Sequence, residues 1–256
     1  TIIENIDWDC KVHKLYRKKY LDAKTSISTA IDWFFKNEEE GIILEDDCLP
    51  HPTFFRFCEE LLEKYRDDDR IAMISGNNFQ FGRKRTQYSY YFSRYTHIWG
   101  WASWRRAWKN FDVDMKLWPE IRDGDWLNDI LNDKKSVKYW KNIFEKTYTG
   151  KIDTWDYQWT FTCWIQNQLT ILPNVNLVSN IGFGKDATFT KNSIDMRANT
   201  LLQKMQFPLK HQKYIIRDIK ADEVTNKNFV TVSLLKRLKN KIRGFVMKHS
   251  LENKTR

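Results

Sequence analysis

The sequence predicts an α/β architecture, a mostly parallel sheet flanked by helices, and three observations carry that expectation. The first 76 residues alternate between strand-like and helix-like patterns, which is how a layered sheet with crossover helices reads. The run Gly41-Ile42-Ile43-Leu44 is short and wholly apolar, as strands covered on both faces are. The chain of 256 residues is 41% hydrophobic and 15% aromatic, enough for a sizeable core and too aromatic for disorder.

The elements follow in order. Lys11-Val12-His13-Lys14-Leu15-Tyr16 alternates polar and apolar and predicts a strand. Residues 23–36 predict a helix with Ile27, Ala30, Ile31 and Phe34 on one face and Thr25 or Ser26 as cap. The apolar strand at 41–44 runs straight into Glu45-Asp46-Asp47. Pro50 and Pro52 open a helix over 53–66, with Phe54, Phe57, Leu61 and Tyr65 inward. Ile71 to Ser75 reads as a strand closed by Gly76. Ten of the twelve tryptophans fall between Trp99 and Trp164, and Trp101, Trp104 and Trp108 share one face at helical spacing. A weaker strand spans 169–179, followed by the turn Gly182-Phe183-Gly184. Residues 190–228 are polar and aperiodic, and 229–249 form a basic amphipathic helix. The chain begins with Thr1, and Ile2, Ile3 and Ile6 lie on what reads as a helix already running, so a missing start is expected.

Charge excludes one class of function. The net charge is +10, but 14 of the 43 basic and 4 of the 33 acidic residues lie in 204–256. The first 203 residues are therefore neutral, and a body that wraps a nucleic-acid backbone is not indicated. The basic segment suits an anionic membrane surface, with a solvated tail or a partner-docking helix as the alternatives. Cys10, Cys48, Cys58 and Cys163 are scattered without a CxxC pair, which fits a reducing compartment.

The acidic triplet is the sharpest chemical feature. Ligands of open α/β sheets collect beyond the carboxyl ends of strands. Three adjacent carboxylates there repel one another and call for a cation, an arginine or many N–H donors. Hard oxygen donors favour Mn²⁺ or Mg²⁺. The plain alternative is an acidic turn that leads into the next helix.

Gly41 to Phe55 (GIILEDDCLPHPTFF) resembles the metal-binding segment of GT-A fold glycosyltransferases, nearest to alpha-mannoside N-acetylglucosaminyltransferase I and its bacterial relatives. The resemblance implies a Rossmann-like GT-A domain over 1–220 with its first strand and helix missing, and a basic tail over 221–256. It implies that Asp47 ligates the metal, while Asp46 and Glu45 hold the ribose and the donor sugar. Trp99-Gly100-Trp101 is similar to the family's Gly-Trp stretch beside the donor sugar, and aromatic faces suit sugar stacking. Trp104 and Trp108 read as core. Trp155-Asp156-Tyr157 resembles the Trp-Asp motif whose carboxylate is the family's base, which carries that role to Asp156. A cap of the following helix is the bland reading of Asp156, and Asp153 and Asp125 rank behind it as bases. Arg17 matches a basic position near the nucleotide, whereas Asp22 stands where the family often has Gly. Phe189 replaces a frequent His, which shifts that task to Lys185 or Thr188. Ser75 to Phe79 matches a loop at the pocket wall.

The implied activity is a metal-dependent, inverting transfer of a sugar from a nucleotide-diphosphate donor, UDP-linked by family implication. The acceptor would be a glycan, a lipid-linked molecule or a protein. The implied place is the cytoplasm, at the inner membrane face through 229–249. The competing reading is a non-catalytic carbohydrate-binding or scaffold module.

Overall fold

The computed structural model describes residues 6, 8–183 and 200–228. The expectations on Ile2 and Ile3, on 184–199 with Lys185, Thr188 and Phe189, and on the 229–249 helix lie outside the described residues. The architecture is mixed α/β. A five-stranded sheet runs in the order β1-β5-β3-β6-β4, built from β1 (Glu40–Ile43), β3 (Ile71–Ser75), β4 (Tyr90–Ser93), β5 (Trp101–Trp104) and β6 (Leu169–Pro173). A two-stranded ribbon pairs β2 (Cys48–Pro50) with β7 (Val178–Asn180).

The expectation of a mostly parallel sheet is corrected. Only β3 and β6 pair in parallel, while β1–β5, β3–β5 and β4–β6 are antiparallel. The cause is β5, which returns between β1 and β3 and separates the two strands that the alternating pattern places side by side. Consequently β1 lies at the sheet edge and is half-buried along its length.

Helices cover both faces. On one face α2 (Thr53–Lys64) buries Phe54, Phe57, Cys58 and Leu61 against Ile71, Ile74, Phe92, Ala102, Trp104 and Ile171. The expected inner face of this helix is the observed one. On the other face lie α1 (Ala23–Asn37), α3 (Arg105–Trp108) and α7 (Asp156–Ile165), which meet Met73 and Trp101. The cap of α1 is Asp22 rather than Thr25 or Ser26; its carboxylate accepts from the Thr25 N–H at 2.7 Å. Asp22 thus serves the helix start, whichever residue relatives carry there.

A third apolar cluster joins α4 (Trp118–Asp123), α5 (Leu127–Leu131) and α6 (Lys134–Tyr148) to the outer side of α7 through Trp118, Trp140, Phe144, Phe161 and Trp164. Residues 11–16 form no strand and are exposed, which corrects the strand expected there. Residues 219–228 are helical and pack back on the sheet, where the Gln80 side-chain amide donates to the Ala221 carbonyl at 3.1 Å. No described helix is long and apolar enough to cross a membrane.

Candidate functional site

Glu45 follows β1 after Leu44, and Asp46 and Asp47 form the turn into β2. The turn is closed by the Cys48 N–H donating to the Glu45 carbonyl at 3.0 Å. Asp46 is exposed, whereas Glu45 and Asp47 are half-buried. Asp47 is fixed from the β7 side. Its carboxylate accepts from the Asn180 side-chain amide at 2.9 Å, and its carbonyl accepts from the Ile181 N–H at 2.9 Å. Gly182 closes over it so tightly that a Cβ there would meet Asp47 Oδ2 at 2.1 Å.

The ribbon that presents Asp47 is itself strapped down by the loop after β3. Ser75, Asn77 and Asn78 are buried. The Asn77 amide donates to the Val178 carbonyl at 3.1 Å, and the Asn78 N–H donates to the Asn176 side chain at 3.0 Å. This loop was expected at a pocket wall. Its asparagines satisfy backbone groups of β7 and its neighbourhood, and buried polar groups need such partners.

Asp156 opens α7 and receives the Thr154 hydroxyl. The structure brings it beside the acidic triplet across more than a hundred residues of sequence. Burial, followed by the charges of Asp47, Asp156 and Asp46, pushes the Glu45 carboxyl up to about 7. The charges that raise it are all carboxylates, and its Oε1 is buried without a hydrogen-bond partner among the described residues. Glu45 therefore lies within electrostatic reach of three other carboxylates, an arrangement that favours a proton or a cation at that place.

The other ranked bases have structural duties. Asp153 accepts from the Ala23 and Lys24 N–H groups at 3.0 and 2.9 Å, which caps the start of α1. Asp125 is exposed in a left-handed turn and holds Asn128.

The tryptophan block differs from its expected form. Residues 101–104 are a strand, so Trp101 and Trp104 point to opposite faces. Trp104 and Trp108 are core, as the sequence implies. Trp101 is core too, fully buried and stacked on Trp155 with centroids 5.7 Å apart. It has no face left for a sugar, which corrects its assignment to donor stacking. Its contribution is to hold the residue that precedes Asp156. Gly100 sits at φ 69°, where glycine is favoured, and a Cβ there would meet Val178 at 2.7 Å. Its close approach is to β7, and its carbonyl accepts from the Gly76 N–H at 2.8 Å. Trp99 is half-buried between Phe79 and Phe183, each 5.4 Å away edge to face.

Arg17 is committed to α1, donating to the Thr29 hydroxyl at 2.7 Å and the Ser26 carbonyl at 3.3 Å. Arg106 donates to the carbonyls of Tyr65, Arg66 and Ile71, and Arg105 to that of Phe35. Both are clamps of the fold.

The contacts of Thr154 with Asp156, of Asn176 with Asn78, and of Asn180 and Gly182 with Asp47 are not named by the sequence reading. Only the position of Gly182 in a glycine turn signalled anything. The rest depend on β7 returning beside the acidic turn.

A divalent cation fits what is present. The donors are hard carboxylate oxygens, and the orphaned Glu45 Oε1 marks a place that lacks positive charge. Among the described residues no three acidic, His or Cys side chains form a ready cage. A cation that keeps water and phosphate ligands needs only one or two carboxylates. Scanned against protein-family models the chain finds no match, and a search of curated proteins finds none either.

Proposed function

We propose that the chain is a metal-dependent, inverting glycosyltransferase of the GT-A fold, related to the bacterial N-acetylglucosaminyltransferase I-like enzymes, with a nucleotide-diphospho-sugar as donor. The observation that carries the reading is that Asp156, Asp46 and Asp47 all act on a half-buried Glu45 whose Oε1 has no hydrogen-bond partner among the described residues. A mixed α/β sheet with the acids at the carboxyl end of β1 is compatible with it.

Mn²⁺ or Mg²⁺ held by Asp47 would supply positive charge to the diphosphate as it leaves. The residues of the chain do the rest. Asp46, exposed in the turn, is placed to accept hydrogen bonds from a ribose, and Glu45 from the hydroxyls of the donor sugar. Asp156 takes the proton of the acceptor hydroxyl as that oxygen attacks the anomeric carbon opposite the leaving diphosphate. The new glycosidic bond forms as the bond to the diphosphate breaks, so configuration inverts. Asn180 and Gly182 keep Asp47 in one orientation. Thr154 does the same for Asp156. Buried Trp101 and Trp155 fix the start of α7. The acceptor is a glycan, a lipid-linked molecule or a protein.

Thermal unfolding with UDP and Mn²⁺ tests donor binding. The expected result is a rise in Tm that needs both additions. At a hundredfold excess over Kd the linkage is worth about 2.7 kcal/mol. Asp47→Ala should abolish the rise and Asp156→Asn should keep it. A rise that survives Asp47→Ala would count against the metal assignment.

A further inference from the structure

A pocket lies away from the acidic cluster. It is a half-open cavity of about 620 Å³ between the end of β4, the α5–α6 connection and the helical residues 219–227. That volume is within the range of small-molecule sites. Trp164, near the end of α7, donates to the Arg94 carbonyl at 2.8 Å. Asp156 begins the same helix, so the two regions are separated by about 12 Å of helix axis.

The pocket is lined by four cations, Arg94, Arg217, Lys135 and Lys227, of which Arg94 is the most buried. The Arg94 side chain is only 8% exposed. Its guanidinium makes no hydrogen bond to any described residue, and Nε is fully enclosed without a partner. Its one ionic neighbour is Asp222, with Nε 3.6 Å from Oδ2. Arg217 approaches the same Oδ2 at 3.3 Å without hydrogen-bond geometry. Asp222 is shared between the two arginines and makes hydrogen-bond geometry with neither guanidinium. Its Oδ1 accepts from the Ser93 hydroxyl at 2.5 Å, and its Oδ2 accepts from the Arg94 N–H at 3.4 Å. Two guanidinium forks therefore share one carboxylate whose oxygens are already engaged.

A buried guanidinium with unmade hydrogen bonds is costly. Asp133 and Glu223 also line the pocket, but they do not answer that need. Asp133 is spent on the Ser136 N–H at the start of α6, and Glu223 is exposed. The planar fork of arginine matches a carboxylate or phosphate with two parallel bonds. From the enclosed, unsatisfied Arg94 fork, with Arg217 beside it and Lys135 and Lys227 on the wall, we infer that this pocket binds a small ligand through an oxyanion group, a phosphate or a carboxylate. The inference does not rest on glycosyl transfer and stands or falls separately.

Titration calorimetry of the full chain with inorganic phosphate and, separately, with malonate at constant ionic strength tests it. Saturable binding of at least one probe is expected, and the tighter probe identifies the oxyanion. Arg94→Met should weaken it by tenfold or more. Arg217 is one-third exposed, so Arg217→Met removes a fork without opening the core and should weaken binding at least severalfold. Neither substitution should change the response to UDP and Mn²⁺. Absence of saturable binding by both probes would overturn the inference, as would binding that Arg217→Met leaves unaltered.

Discussion

Asp156 and Gly182 are the single residues on which the proposed chemistry turns. Asp156→Asn keeps the shape of the side chain and its contact with Thr154, and removes only the capacity to take a proton. General-base catalysis is worth about 10²–10⁴ in rate, so turnover should fall by that factor with Tm little changed. Steady-state assay of nucleoside-diphosphate release beside a melting curve checks both halves. Retained turnover would remove Asp156 from the mechanism. Gly182→Ala probes the geometry of Asp47 from outside the carboxylate set. The added methyl would overlap Asp47 Oδ2, and either the carboxylate or the turn at 181–183 must move. The expected signature is weaker Mn²⁺-dependent stabilisation with an intact fold, read by titrating the metal at fixed UDP.

At the level of elements, β5 decides most of the architecture. It pairs with β1 on one side and β3 on the other, and it sends Trp101 into one core and Trp104 into the other. Trp101→Ala should cost about 3–5 kcal/mol, the usual cost of emptying a large aromatic site. It should also lower turnover beyond the loss of folded protein, because Trp155 would lose the ring it stacks on. Denaturant unfolding, with activity normalised to folded fraction, separates the two effects. The same strand marks the limit of what the sequence makes legible. Local patterns expose α1, α2 and β3 within a residue or two, because amphipathic spacing and proline entry are encoded where they act. Trp101 to Trp108 carries helical spacing by coincidence, since a strand followed by one helical turn also produces it. Strand order and direction depend on contacts about thirty to a hundred residues apart, such as Ile74 with Ala102 and with Ile171, and no local spacing reports them. Part of the candidate site was legible as acidic residues at a strand end and at a helix start. Their meeting was not, because it needs α7 to dock on β5 through buried tryptophans.

For the molecule as a whole, Asp222 couples stability to pH by joining residues 217–228 to the end of β4. It is buried, accepts from the Ser93 hydroxyl and faces Arg94 and Arg217. Burial pushes its carboxyl from 3.8 up to about 7, against the pull of Ser93 and Arg217, with Asp218 adding to the rise. A carboxyl raised in the folded state binds more protons folded than unfolded between those two values. Its contribution to stability is therefore complete below about pH 4 and is lost as pH climbs through 7. The full span corresponds to about 4 kcal/mol at most. Unfolding free energy should decline between pH 5 and 8, and Asp222→Asn should flatten that decline because an amide does not titrate. The variant should consequently compare best with the parent at pH 8 and worst at pH 5. Glu45, also raised to about 7, keeps a slope of the same sign in the variant. Urea unfolding of both proteins at pH 5, 6, 7 and 8 measures the difference. Parallel curves would show that Asp222 stays ionised throughout, its charge held by the two arginines, and that the 217–228 segment is attached independently of pH.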